Sequence, residues 1–287
     1  MGTVVNVTYS LEGSNDDSIT FDYSTYVLNT GLTGFGIPPT SVRIEASAGD
    51  GGVYRHSKRL PRDVDLPITI FGADRGEVQT NLRRLGRILQ DNQGPTQIKA
   101  DYSDGTSLFL PLHYTGGGET VWGSTTAGLT WCRWVVSMRA PNPFWLSAIE
   151  EQFSIGTGST GRGLLPLLTK MKVSSSSTLG VVTVVNAGDV KAFPIWQITG
   201  PVSDLVISNG VEQFGFANVF SGEVLTVNTE TGAVTNSGGD NLYARLDVAP
   251  KLFSLPPGTT GLTILGTDTD LDFNVLLTYS PRYEVIH

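Results

Sequence analysis

Cysteine is almost missing from this chain. The single Cys132 in 287 residues leaves no partner for an intramolecular disulfide and no multi-cysteine zinc site. Histidine is nearly as scarce. His56, His113 and His287 are too few for a His-built metal centre or proton relay. Charged residues make up only 16% of the chain, against an average of about 25%. Basic residues are fewer than acidic ones, 19 against 27; phosphate binding needs clustered Lys and Arg, so on the overall balance nucleic-acid recognition is not expected. No run of about 18 apolar residues occurs, which excludes a membrane-spanning helix, and no membrane insertion is expected. The start, Met1-Gly2-Thr3-Val4-Val5-Asn6, has neither a basic stretch nor a long apolar run. It is therefore not read as a signal peptide, and a soluble protein made in a reducing compartment is expected.

Glycine and an apolar fraction large enough for a full core are abundant. The 34 Gly and 15 Pro stay below the share that marks disorder, roughly 25–30%. Many turns, few charges and a core allowance of this kind point to a mainly β protein with short strands. Val42, Ile44 and Ala46 alternate with polar residues, as do Val64, Leu66, Ile68 and Ile70, and Leu108, Leu110, Leu112 and Tyr114. This period of two predicts strands with one face on a core. Ile98–Tyr102, Asp104-Gly105 and the segment from Ser107 read as a tight hairpin, because Asp-Gly tolerates positive φ. Trp131–Met138 is apolar on nearly every position, which predicts a strand covered on both sides. One helix is expected, from about 75 to 91. Asp74 and Glu77 have the spacing of a capping box, and Val78, Leu82, Leu85, Ile88 and Leu89 form one stripe. Arg83, Arg84 and Arg87 take the remaining surface, as a solvated face or as partners of a neighbouring subunit.

The second half changes character. Residues 1–145 carry 12 basic and 14 acidic residues, and 146–287 carry 7 and 13. The expected division is a β domain over 1–148 and a β-sandwich over 149–287, with a flexible linker at about 156–163. Strands are expected at Val181–Val185, Phe193–Thr199, Leu205–Ser208, Val211–Phe216, Glu223–Val227 and Phe273–Tyr279, with turns at Asn209-Gly210 and Thr231-Gly232.

Motifs that carry chemistry are weak. Gly156–Gly161 matches G-x-G-x-x-G, but Pro166 and Val181 stand where a helix and an acidic residue are needed, so it reads as linker. Asp268, Asp270 and Asp272 lack the glycine and distal glutamate of a calcium loop and read as a hairpin entry. Arg55, His56, Lys58, Arg59 and Arg62 form the one basic cluster. With Asp63 and Asp65 following at once, it reads as a charged loop entering a strand. Cys132, between Trp131 and Trp134, reads as a small buried hydrophobe. No nucleophile elbow, phosphate loop or H-E-x-x-H pair occurs. No catalytic, cofactor-binding or metal residues are assigned, and no cofactor is expected.

The order of segments resembles the siphophage distal tail protein family, also described as phage tail or minor tail proteins. Leu66-Pro67-Ile68-Thr69-Ile70-Phe71-Gly72, the amphipathic helix and Tyr102-Ser103-Asp104-Gly105 look like its N-terminal ring domain. Arg139-Ala140-Pro141-Asn142-Pro143-Phe144-Trp145 is similar to that domain's exit. Asn186-Ala187-Gly188-Asp189, Ala192-Phe193-Pro194-Ile195 and Ile198-Thr199-Gly200-Pro201 resemble the opening of the second domain. Thr226–Val234, Leu255-Pro256-Pro257-Gly258 and Val275–Tyr283 follow in the family's order, whereas Tyr23–Val42 matches nothing in it.

This resemblance implies a sandwich- or barrel-like β ring domain with one helix, then a galectin-like β-sandwich. It also implies a homohexameric ring without catalytic residues that joins the tail tube to the tip, baseplate or receptor-binding proteins. Its place is the virion's tail tip, after assembly in the host cytoplasm. A lectin-like protein binding cell-surface carbohydrate is the alternative, with Trp122, Trp196, Tyr243 and Phe253 as candidate stacking residues. A glycoside hydrolase is a third and weaker reading, because no aromatic-lined carboxylate pair stands out.

Overall fold

The computed structural model describes residues 6–90, 94–119, 127–156, 172–173, 180–247, 249–270 and 272–286. The expected linker and Gly-rich motif fall almost wholly outside these residues, as do Trp122 and His287; Gly156 itself ends a strand. The protein is mainly β. Its contacts divide it into two compact units, Met1–Ala148 with Tyr283–His287, and Ile149–Arg282.

The first unit contains β1 (Val7–Glu12), β2 (Ser18–Thr20), β3 (Tyr26–Leu28), β4 (Thr40–Ala46), β5 (Gly52–Arg59), β6 (Arg62–Phe71), α1 (Arg75–Ile88), β7 (Thr96–Tyr102), β8 (Ser107–Gly117), β9 (Trp131–Ala140) and β10 (Trp145–Ser147). An antiparallel sheet runs β2-β1-β7-β8-β9-β6-β3, with β10 paired to β8, and curls into a near-closed barrel. Its inner face is built by the alternation read in the sequence. Val64, Leu66, Ile68 and Ile70 of β6 are fully buried, as are Leu110 and Leu112 of β8. The Asp104-Gly105 turn joins β7 to β8, with Gly105 at φ 90° and the Asp104 carboxylate accepting from the Thr106 N–H at 2.8 Å.

The segment 23–42 has a structural role. Its Tyr26–Leu28 part pairs with β6. Phe35 packs edge-on to Trp145, 5.2 Å between rings, and lies 5.4 Å from Tyr9.

Helix α1 begins where its cap chemistry places it. The Asp74 carboxylate accepts from the Glu77 N–H at 2.9 Å, and Glu77 accepts in turn from the Ala73 N–H at 2.6 Å. The helix ends at Ile88, with Leu89 as its C-cap, so it stops short of the expected 91. Val78, Leu85, Ile88 and Leu89 are buried, and the last three join the barrel core. Arg84 is not simply solvated. It donates twice to Asp17, at 2.8 and 3.0 Å, and once to the Ser18 carbonyl, while Arg87 lies 3.8 Å from the same carboxylate.

Leu85→Ala should cost about 2–5 kcal/mol. Arg84→Ala should cost below about 1 kcal/mol, because its partner and itself are partly exposed. Urea unfolding separates the two. The Arg84 hydrogen bond holds the Asp17 carboxyl below its ordinary 3.8. The pair therefore stabilises fully above that value and loses its effect as the pH falls through the lowered one. The Arg84→Ala deficit should shrink in acid.

The second unit contains β11 (Glu151–Gly156), β12 (Lys172–Val173), β13 (Gly180–Asn186), β14 (Ile195–Thr199), β15 (Val202–Ser208), β16 (Gln213–Val219), β17 (Val224–Asn228), β18 (Val234–Asn236), β19 (Gly258–Thr267) and β20 (Asn274–Tyr279). Two sheets, β12-β11-β20-β14-β17-β18 and β13-β19-β15-β16, contribute to one hydrophobic core and form a sandwich. The expected turns are present. Gly210 has φ 88° between β15 and β16, where the Asn209 side chain accepts from Val211 and Glu212, and Gly232 has φ 75° between β17 and β18.

Asn186 is buried with its amide fully used. It donates to the Val190 and Leu255 carbonyls and accepts from the Gly188 N–H. A Cβ on Gly188 would lie 2.5 Å from the Arg282 carbonyl, so only glycine fits there.

Candidate functional site

Three sequence readings change in the structure, two of them at β4 and β5. Among the described residues these strands pair with each other alone, as a two-stranded ribbon. Val42, Ile44 and Ala46 were expected on a core. Instead β5 is exposed throughout, and β4 at every residue but Glu45. Alternation reports that one face is apolar, and says nothing of what covers it. Likewise Arg55, His56, Lys58 and Arg59 are a strand and not a charged loop, and Arg62 opens β6 as a buried residue.

The ribbon is amphipathic. Ile44 stands opposite Tyr54, and Val42 opposite Ser57, so these side chains share one face. Arg43 stands opposite His56, and Ser41 opposite Lys58, on the other. A register shift between Arg43 and Ile44 keeps Tyr54 facing Ile44. Arg43 and Arg55 both reach Glu45, at 3.2 and 2.7 Å. The apolar face stays open: Val42 is 54% exposed, Ile44 63% and Tyr54 59%. Contiguous exposed apolar surface of this kind marks an interaction site, and an unpaired ribbon edge offers N–H and C=O groups to another chain.

The third change is β9. Cys132, Val136 and Met138 are buried as expected, but the strand is covered on one side only. Val135 is 54% exposed and Arg133 points outward, its guanidinium 5.4 Å above the Trp131 ring. Along the outer face of β6 and β9, Phe71 and Trp131 stand at one end and the Asp63–Arg139 ion pair at the other. The Arg139 hydrogen bond holds the Asp63 carboxyl below its ordinary value.

The sandwich offers less to a ligand. Trp196 and Phe253, two of the proposed sugar-stacking residues, are core. They are 0% and 1% exposed and pack around Phe214 with ring distances of 5.9 to 6.0 Å. Tyr243 stays half exposed in a short 3-10 turn, and Trp122 lies outside the described residues. In the acidic run, Asp270 accepts from the Asp272 N–H at 2.8 Å. Among the described residues no group of three or more His, Cys, Asp and Glu side chains is placed to share a metal ion.

No protein-family model matches the sequence, and no curated protein matches it. Solved structures do. The crystal structure of SPP1 Dit (gp 19.1), titled a paradigm of the hub adsorption apparatus in Gram-positive-infecting phages, superposes with a TM-score of 0.66 at 12% identity, over 96% of this chain and 98% of that one. This chain shares its fold with a phage hub protein. The phage p2 baseplate in its activated conformation with Ca gives a TM-score of 0.57 at 10% identity, over 98% and 100% of the two chains. The same baseplate with Sr gives 0.53 at 10% identity, with the same coverage. The fold likeness thus extends over both units and is carried by backbone shape, with few side chains in common. In sequence, the ribbon's one advance signal was that an apolar alternation and a basic run sat on consecutive strands.

Proposed function

We propose that this chain is a structural component of a phage tail tip or baseplate, a ring-forming hub that joins the tail tube to the tip or to receptor-binding proteins. The observation that carries the reading is the hub-protein fold over nearly the whole of both chains. The exposed ribbon supports it, because a monomer gains nothing from an amphipathic strand pair held in water. The mechanism is geometric: a closed ring repeats one docking surface around an axis. The first unit, with nearly balanced charge, is read as the ring former. The second is read as a galectin-like sandwich left free to dock other tail proteins. The role is non-enzymatic, its place is the tail tip of the virion, and assembly takes place in the host cytoplasm.

The native mass tests this. Sedimentation at several concentrations should give six chains, and negative-stain images should show a closed ring. A monomer that does not respond to concentration would reject the hub. The carbohydrate alternative rests on stacking residues of which two are buried, so calorimetric titration with a panel of glycans should give no saturable heat.

A further inference from the structure

The sandwich leaves one strand edge undefended. In the sheet β13-β19-β15-β16, the β16 edge is shielded by its own chain. The Asp247 N–H donates to the Gly215 carbonyl at 3.0 Å, the Lys251 N–H donates to the Gln213 carbonyl at 2.9 Å, and Leu246 bridges to Phe216. At the opposite end, β13 pairs with β19 alone among the described residues. Proteins commonly blunt such an edge with a charge, a proline or a bulge. β13 has none of the three over its seven residues, and its register with β19 runs unbroken from Gly180 to Asn186. The Tyr279 hydroxyl reaches the end of the strand, donating to the Val185 carbonyl at 2.8 Å.

The side chains of β13 alternate. Val182 and Val184 enter the sandwich core, while Val181, Thr183 and Val185 face outward, the two valines 73% and 51% exposed. Thr259, Thr263 and Leu265 of β19 continue that outer face. Neither strand holds a charged residue, in a chain with 27 acidic against 19 basic residues.

We propose that β13 is a two-fold contact surface, paired antiparallel with β13 of a second copy and centred on Thr183. The backbone sets the kind of partner, because the complement of an open strand edge is another extended strand. Two observations make that strand a second copy. The first is sequence. Val181-Val182-Thr183-Val184-Val185 reads the same in both directions. In the register centred on Thr183, Val181 of one copy stands opposite Val185 of the other, Val182 opposite Val184, and Thr183 opposite Thr183. Outward residues meet outward residues and core residues meet core residues. Valine pairs and a threonine pair are favourable cross-strand neighbours. A slip by one residue turns the second copy's core face the opposite way, so the register is specified.

The second is charge. Two acidic copies repel wherever charged surface meets, and this edge with the face beside it is uncharged. A two-fold contact repeats one patch on both copies, whereas a ring turns its copies successively about one axis. The pairing therefore does not build the ring. It joins chains of separate assemblies, and it goes beyond the hub reading.

Cysteine placement in the full-length protein tests the register. Opposed Cα atoms of an antiparallel pair lie about 4.5–5.5 Å apart, within the roughly 4.4–6.8 Å that a disulfide spans. Under mild oxidation Thr183→Cys should cross-link with itself. Val181→Cys and Val185→Cys should each stay uncross-linked alone and should cross-link when mixed. The buried Cys132 is common to all of them, and the wild type serves as its control. In sedimentation the wild-type mass should double as concentration rises. Thr183→Lys sets two like charges face to face on the axis and should abolish the doubling, with circular dichroism checking its fold.

Cross-linking of Val181→Cys or Val185→Cys alone as readily as in the mixture would mean unregistered sticking and overturn the assignment. A Thr183→Cys protein that does not cross-link would also overturn it, and is the result expected if the edge takes an extended segment of another protein. A six-chain wild type that never doubles rejects the pairing and leaves the ring reading intact. A wild type that passes from one chain to two and no further, with the cross-links in register, supports the pairing and rejects the ring.

Discussion

Trp196→Ala is expected to destabilise the second unit by about 3–5 kcal/mol, the range for deleting a buried aromatic side chain. Trp196 is fully buried and meets Phe214 and Phe253 at interplanar angles of 70° and 73°, an edge-to-face arrangement that adds to the area it removes from water. Its indole Nε1 has no hydrogen-bond partner among the described residues, so Trp196→Phe gives up no hydrogen bond. That change should cost much less than the alanine, because it leaves a smaller void.

Urea unfolding followed with a probe specific to the second unit reads both, since a chain of two units need not unfold in one step. The experiment also bears on function. A residue that stacks on sugar is replaceable without loss of fold, so an alanine variant of unchanged stability that had lost glycan binding would reverse the assignment of Trp196 to the core.

Local signals gave much of the fold in the sequence, and they failed where a distant partner decides the outcome. The capping pair Asp74 and Glu77 and the Asp104-Gly105 turn are set by neighbours a few residues away, and each formed as read. The longest strand of the sandwich, β19, was missed. Its sequence is mostly Gly and Thr, with Leu262 and Ile264 as its buried apolar residues. Pairing with β13 and β15 on either side holds it, and neither pairing is visible in its own composition.

The ribbon shows the converse. Val42 and Ile44 have the pattern of a core strand, yet among the described residues no third strand or helix covers them. The candidate surface was therefore legible as residues and illegible as a surface. The same holds for a groove lined by Tyr23, Val27, Phe71, Trp131 and Arg133, whose aromatic residues come from three separate segments.

Removing the Arg62 side chain should destabilise the first unit by about 3–5 kcal/mol, more than most changes at a charged residue. Arg62 is 1% exposed, and burial pushes its pKa down to about 10, so it stays protonated at neutral pH. Its guanidinium donates to the Gly34 carbonyl and to the Glu284 carbonyl, both at 2.8 Å. Gly34 can lie this close only because it lacks a side chain: a Cβ there would sit 2.2 Å from the Asp63 carbonyl oxygen, and its φ is 88°.

Arg62→Ala removes the hydrogen bonds to two part-buried carbonyls, at about 1–3 kcal/mol each. Arg62→Met keeps most of the volume and should recover the packing but not the hydrogen bonds. Arg62 also ties in the end of the chain. Arg59 donates to the Glu284 carboxylate at 2.9 Å, and Tyr283 and Ile286 pack on the barrel core.

Ending the chain after Arg282 should therefore weaken the first unit too, and the two changes should not add. A double-mutant cycle on the first-unit unfolding transition should show a coupling of about 1–3 kcal/mol. Additive effects would mean that the tail and Arg62 act separately. The first unit is discontinuous in sequence, closed by residues that follow the whole sandwich. A fragment that stops near Ser147 lacks that closure, and its failure to oligomerise would not count against the ring. The sound test of ring formation by the first unit alone joins Ala148 to Tyr283 through a short linker, and that chain should keep the native oligomer.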